Sequence, residues 1–350
     1  MSHVLVTGAS GLVGAEVVSR LTARNVAVTA LSHRTPLAES VTRVIGDVRV
    51  PDLGIAAADL EALASEVTAI VHCGATTAFD AAPEVYEELN VQGTGNVVEL
   101  ARRWDVPLVH VSTAYVCGER NGVVAENDLD VDQMFGNLYE RSKFRAEKLV
   151  READGLQWTV IRPGIVSGNS ETGAIREYKN LYTVLKLMVE GKLRSLPGRY
   201  DATLALAPLD HVADVVVAAV LDFDEARGRT FHAVGADALS LREVSDVLAE
   251  YPSFEIATFV PPTSFSDSDL EGTERDYYLR VGSLYTSYFH RRLAFDVSGA
   301  EKLLGRPSPP SGPDYFRVVL DDCLESGYLG APLPSIEEVL ASLAGGAEKS

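Results

Sequence analysis

Thr7-Gly8-Ala9-Ser10-Gly11-Leu12-Val13-Gly14 follows directly on an apolar run, His3 to Val6, near the start of the chain. The three glycines are spaced GxxGxxG. A strand that turns straight into a helix needs backbone freedom, close approach of the main chain to phosphate, and tight helix–strand contact. A residue without Cβ serves all three needs. The helix that opens near Leu12 then aims its N-terminal amides at an anion. Glycines also cluster in ordinary turns, so the triplet gains its meaning from its place after a strand and before an amphipathic helix. Gly8, Ser10, Gly11, Leu12 and Gly14 are therefore the expected contacts to a dinucleotide pyrophosphate.

Working outward, short apolar runs alternate with helical patterns. Strands are predicted at 4–7, 26–31, 43–45, 69–72, 108–112 and 159–162, and helices at 14–23, 59–65, 85–104 and 139–152. Most of the strands are apolar throughout, as in a parallel sheet covered on both faces. The expected fold class is α/β: a doubly wound Rossmann parallel sheet with a smaller C-terminal substrate lobe. Residues 1–168 form the expected dinucleotide-binding domain, with 209–234 returning to it through a helix at 209–223 and a strand at 230–234. The lobe takes 169–208 and 235–345. It should contain a helix at 175–191, a Pro-Gly turn at 197–198 and a strand near 203–207. A further helix at 240–250 is opened by a Ser240/Glu243 capping box. Residues 261–276, rich in Pro, Ser, Asp and Glu, read as a mobile surface loop. A last helical region follows the prolines between Pro307 and Pro313, and the Gly-Gly-Ala-Glu-Lys-Ser tail reads as frayed.

The bulk composition narrows the partners. With 31 Lys+Arg against 50 Asp+Glu the formal charge is -19, which repels nucleic acid and anionic membrane surfaces. Cys73, Cys117 and Cys323 have no paired spacing and read as core residues or free thiols of a reducing compartment. With the first strand at residue 3 no signal peptide is expected, no apolar run is long enough for a membrane span, and the seven histidines show no metal-ligand spacing. A cytoplasmic enzyme without a metal is the expectation.

The second strand ends in Ser32-His33-Arg34, about 20 residues past the last motif glycine, where an NAD site places an acid for the ribose hydroxyl. No acid stands there. Arg34 suits a 2′-phosphate and Ser32 can hydrogen-bond the same group, so NADPH is the expected cofactor; a solvated loop arginine is the plainer alternative. Asp47, followed by Val48, suits the adenine amine or a turn. Gly74-Ala75 allow the backbone close to the cofactor. His72 closes a buried strand and reads as structural.

Downstream stand Tyr139-Glu140-Arg141-Ser142-Lys143 and, before them, Ser112-Thr113. Tyr139 and Lys143 are four residues apart and share a helix face. A carbonyl that accepts hydride needs a proton donor at its oxygen. A nearby ammonium lowers a tyrosine pKa and can hold the nicotinamide ribose, while Thr113 would donate to the same oxygen. A surface tyrosine packed on a lysine stem is the alternative.

These motifs together resemble the extended short-chain dehydrogenase/reductases, over roughly residues 1–220. The resemblance implies the roles given for Thr113, Tyr139 and Lys143, and a nicotinamide-facing loop that includes Pro163, Gly164 and Ile165. Within that family, 71–75, Leu89-Asn90-Val91-Gln92-Gly93-Thr94, 112–118, 139–147 and Arg162 to Gly168 resemble the thioester-reducing branch, the fatty acyl reductases and terminal reductase domains. Epimerases of the superfamily usually carry an aromatic where Cys117 stands and Asn where Ile165 stands. The implied activity is NADPH-dependent reduction of an acyl thioester, bound to CoA or an acyl carrier protein, to an aldehyde, with a second reduction to the alcohol left open. A ketone or aldehyde reductase, a sugar-nucleotide epimerase or dehydratase, and a silent NADP-binding regulator are the alternatives. Monomer and homodimer are both compatible with the sequence.

Two features of the lobe stand out. Arg176, Lys179, Lys186, Lys192, Arg194 and Arg199 face only Glu177 and Glu190 within their segment, a local reversal of charge that suits carrier or CoA docking or simply balances acidic neighbours. Tyr277, Tyr278, Tyr285, Tyr288 and Phe289 read either as an acyl-pocket wall or as core.

Overall fold

The computed structural model describes residues 2–33 and 41–330. Arg34, residues 331–345 of the expected lobe and the tail beyond them lie outside the described residues. Seven parallel strands make the central sheet, numbered here within it: β1 (His3–Thr7), β2 (Ala27–Ser32), β3 (Thr42–Ile45), β4 (Ala69–His72), β5 (Leu108–Val111), β6 (Trp158–Pro163) and β7 (Thr230–Ala233). Their spatial order is β7-β6-β5-β4-β1-β2-β3. The order reverses between β1 and β4, and at such a switch point the carboxyl ends of the strands leave a crevice for a ligand. Both faces are covered. Helices Leu12–Ala23 and Leu209–Leu221 bury valines and alanines on one side, and Gly93–Trp104 with Leu138–Glu152 cover the other.

The expected helix over 85–104 is a longer helical run with a change of pitch inside it. Pro83–Tyr86 leads into a π-helical turn at Glu87–Gln92, then into Gly93–Trp104. The wider turn presents Asn90 to the loop after β4, where it accepts from Thr76 N at 2.8 Å and donates to Thr76 O and to Ser142 Oγ. Turns of this kind gather at functional sites.

The lobe departs from the sequence reading in three places. Its first helix begins at Leu181 and ends at Val189. Residues 175–180 instead run as a loop, because Arg176 reaches the glycine turn and Tyr178 reaches Asp322 and Ser326. The strand expected over 203–207 breaks at Ala205. Thr203–Leu204 pairs with Leu239–Ser240, and Leu206–Pro208 pairs with Ile165–Ser167. The segment 261–276 carries two short turns and ends in helix Thr273–Tyr277, where buried Glu274 accepts from Arg194 and from the backbone of Arg194 and Ser195. Its end is thereby fastened. The Ser240/Glu243 capping box forms as expected, on helix Leu241–Leu248.

Two buried ion pairs seat helix Leu138–Glu152. Arg162 on β6 donates to Glu147 through Nε and Nη2, the closer contact at 2.6 Å, with both side chains fully buried. Ser112 Oγ donates to the other Glu147 oxygen at 2.7 Å. At the opposite end Glu140, fully buried, accepts from Arg291 of the lobe at 2.9 Å. A buried carboxylate loses hydration on folding and is tolerated because charged donors replace the water. Removing one partner strands the other. Glu147→Ala is expected to lower stability by about 3–5 kcal/mol, read as a fall in the urea midpoint at unchanged slope. A loss below about 1 kcal/mol would mean the pair does not anchor the helix.

Candidate active site

A cleft of about 510 Å³ opens at the carboxyl ends of the strands and runs from the glycine turn into the lobe. Gly8, at φ +67°, sits where a Cβ would lie 2.6 Å from the Cys73–Gly74 backbone, and a Cβ on Gly14 would overlap the Gly8 carbonyl. The turn is thus packed to a tolerance that only glycine meets. Helix Leu12–Ala23 starts at Gly11 without a side-chain cap and carries no acid in its first turn. Its N-terminal amides and the positive end of its dipole suit a pyrophosphate. Arg176 adds a cation there, its Nη2 donating to Ser10 O at 2.7 Å. These features fit a dinucleotide.

Thr113, Tyr139 and Lys143 meet on the wall of the same cleft. Thr113 extends the end of β5; its hydroxyl donates to Pro163 O at 3.3 Å and hydrogen-bonds Tyr139. Tyr139 opens the helix that Asn137 caps by accepting from Glu140 N at 2.8 Å. Burial pushes the Tyr139 phenol up to about 12, with the Thr113 hydrogen bond acting against it. The sequence suggested a tyrosine acidified by its lysine. The structure shows the reverse balance, because desolvation is the larger effect and Lys143 Nζ donates to Val111 O at 2.8 Å. Burial likewise holds the Lys143 ammonium down to about 8, against the attraction of Glu147.

Other expected site residues are distributed as follows. Gly8, Ser10, Gly11, Leu12, Gly14, Ala75, Pro163, Gly164 and Ile165 line the cleft. Gly74 packs behind it, its amide 3.4 Å from Thr7 Oγ1. Ser32 ends β2, and Asp47 and Val48 follow β3, all beyond the cleft lining. Asp47 makes a turn: it accepts from Arg49 N at 3.0 Å and pairs with the Arg49 guanidinium, which holds its carboxyl down to about 2. His72 is structural as expected. It bonds Thr7 at 2.6 Å and Thr94 at 3.1 Å, and burial drives its pKa to about 3. Cys73 lines the cleft as a thiol, pushed up to about 12 by burial.

The far half of the cleft is aromatic. Tyr285, Tyr288 and Phe289 line it, while Tyr277 and Tyr278 do not. Phe79 and Tyr115, unnoticed as wall residues in the sequence, join them. Phe79 touches three rings: Tyr139 at 5.5 Å, Tyr285 at 5.1 Å and Tyr288 at 5.6 Å. It sits on a loop with no periodicity to betray it, held by the Asn90–Thr76 bonds and by Tyr86 Oη donating to Ala78 O. The six cations of the 176–199 segment do not form one docking face. Glu177 takes Arg176 and Lys179, Glu190 takes Lys186 and Lys192, and Arg194 and Arg199 pair with Glu274 and Asp201.

Residues 23–216 match the model of the male sterility protein family of NAD-binding domains. The chain belongs to that family. A linear gramicidin synthase polypeptide of Brevibacillus parabrevis is 30% identical over 189 residues, 51% of this chain and 4% of that one. The fatty acyl-CoA reductase wat of Drosophila melanogaster is 28% identical over 213 residues, 52% of this chain and 41% of its own. The matched region thus spans less than half of either relative. The terminal R domain of the myxalamid PKS-NRPS pathway superposes with a TM-score of 0.81 at 26% identity, covering 95% of this chain and 93% of that domain. As a member of this family the chain carries an NAD(P)-binding domain, and its relatives include a fatty acyl-CoA reductase and a terminal R domain. Among its described residues no helix is long and apolar enough to cross a membrane, and no cluster of His, Cys, Asp or Glu could hold a metal ion.

Lys143 carries its charge below about pH 8 and loses it above. If the ammonium holds the cofactor ribose, dinucleotide affinity should weaken as pH rises through about 8, measured by calorimetric titration. Lys143→Met should remove that step and leave a flat profile; an unaltered step would assign it to another group.

Proposed function

We propose that this protein is an NADPH-dependent reductase of acyl thioesters. The observation that carries the reading is that Thr113 and Tyr139 line one cleft together with the glycine turn and the aromatic wall, Tyr139 touching that wall at Phe79. The relatives support it, since one is a fatty acyl-CoA reductase and another a terminal R domain. The cofactor, bound along the turn and against Lys143, supplies hydride to the carbonyl carbon. Tyr139 donates to the carbonyl oxygen, Thr113 does so once its hydroxyl turns from Pro163 O, and their hold tightens as negative charge develops there. With its pKa raised, Tyr139 is fully protonated at neutral pH and acts as a hydrogen-bond and proton donor. The resulting hemithioacetal collapses with loss of the thiol, giving the aldehyde; a second hydride would give the alcohol.

Preference for NADPH rests on the sequence Ser32-His33-Arg34, which offers a base and no acid to the ribose. CoA or a carrier protein is the proposed bearer of the acyl group. The aromatic wall favours this reading over sugar-nucleotide chemistry, because a sugar diphosphate needs unpaired cations where this cleft offers rings.

The test is reduced-cofactor oxidation with acyl thioesters, simple aldehydes and sugar nucleotides, with free thiol measured in parallel. Thiol release matched to NADPH consumption is expected, and oxidation with aldehydes alone would reduce the assignment to a carbonyl reductase. Tyr139→Phe should lower kcat about 10²–10⁴-fold while the dissociation constant for NADPH changes little. Turnover equal to the parent would remove Tyr139 from the chemistry.

A further inference from the structure

The tyrosine hydroxyls of the cleft divide unequally. Tyr115 Oη accepts from Ala205 N at 3.3 Å, Tyr182 Oη accepts from Gly168 N at 2.8 Å, and Tyr285 Oη donates to Asn180 Oδ1 at 3.3 Å. Tyr139 bonds Thr113. Tyr288 differs from all four. Among the described residues its hydroxyl has no hydrogen-bond partner, yet it is not among the sealed polar atoms, so it opens on the cleft that the ring lines.

The ring itself is clamped. Phe79 stacks on it at 5.6 Å and 8°, Tyr115 meets it edge-on at 4.7 Å, and the Arg291 guanidinium stands 5.1 Å from its centroid. Arg291 is in turn fixed by buried Glu140, the residue next to Tyr139. A phenol held this firmly loses little entropy on binding a ligand. It also belongs to the reacting end of the cleft, because Phe79 packs against Tyr139 with its centroid 5.5 Å away.

An aromatic wall with a single free hydroxyl reads as a pocket that wants one hydrogen bond from an otherwise apolar ligand. We propose that Tyr288 selects acyl thioesters carrying a hydrogen-bonding group, an amide or a hydroxyl, on the acyl chain near the thioester carbonyl, in preference to plain alkanoyl thioesters. The inference rests on the thioester-reductase reading and adds the substrate class to it. The hydroxyl both donates and accepts, so an amide N–H, an amide carbonyl and an alcohol all satisfy it. A plain alkanoyl chain would cover the phenol without replacing its water, and the stranded group would penalise that substrate.

Pantetheine thioesters of hexanoate, 3-hydroxyhexanoate and N-acetylalanine are the probes, with kcat/KM followed by thiol release in the parent and in Tyr288→Phe. The substitution keeps the ring and its stacking, and matching melting curves would verify the fold. The parent should favour at least one of the two hydrogen-bonding acyl groups over hexanoyl by about tenfold, and the arm that gains identifies the alcohol or the amide. Tyr288→Phe should lower that rate about tenfold more than the hexanoyl rate, collapsing the preference. A preference unchanged in the variant, or absent in the parent, overturns the role of Tyr288 while leaving thioester reduction standing. Absence of thiol release from all three, with aldehyde still reduced, overturns the reductase reading and this inference together.

Discussion

The buried pair of Glu147 and Arg162 is the constraint on which the site depends. It joins the helix that carries Tyr139 and Lys143 to the strand that leads into Pro163 and Gly164, while Ser112 ties in the strand end that presents Thr113. Three elements of the candidate site are thus referred to one carboxylate. Apolar contacts alone would let the helix slide along the sheet, because dispersion and burial are nearly indifferent to a small shift in register. A bidentate charge pair in a dry interior is not indifferent, since misalignment leaves a charge without its donors. Arg162 also donates to the carbonyls of Glu126 and Asp128, extending the reference to the loop beneath.

The sheet was legible because its signals are local. Apolar runs bounded by turn residues gave six strands to within a residue or two, and the strand at Thr230–Ala233 was marked by the same rule. The glycine turn and the Tyr139/Lys143 spacing were legible because each requirement is met by neighbours in the chain. What the sequence hid is what distant segments do to each other. Phe79 is an unremarkable loop residue until Tyr139, Tyr285 and Tyr288 arrive around it. The loop over 175–180 reads as helix because its residues tolerate one, and Arg176 and Tyr178 override that propensity through partners far along the chain. Tyr139 misled in a subtler way. Helical spacing predicts which groups are near, but not how dry their surroundings are, and dryness sets its pKa.

Charge followed the same lesson. The cations between Arg176 and Arg199 look like a patch in a one-dimensional count and dissolve into separate pairs in three dimensions. Of the six, Arg176 alone reaches across to the glycine turn, where a guanidinium beside an uncapped helix start has an electrostatic use.

Tyr139 and Glu140 are consecutive residues, yet one lines the cleft and the other is buried against Arg291 of the lobe. Adjacent positions on this helix therefore meet different surroundings, the cleft on one side and a buried guanidinium on the other. The aromatic wall of the cleft is built elsewhere, from the loop bearing Phe79, from Tyr115 and from Tyr285 to Phe289. Those loops nevertheless lean on the helix, Phe79 against Tyr139 and Arg291 between Tyr288 and Glu140, so a change of wall residue is felt there. Wall and helix are thus one mechanical piece, and a substitution in either has to be accommodated by the other.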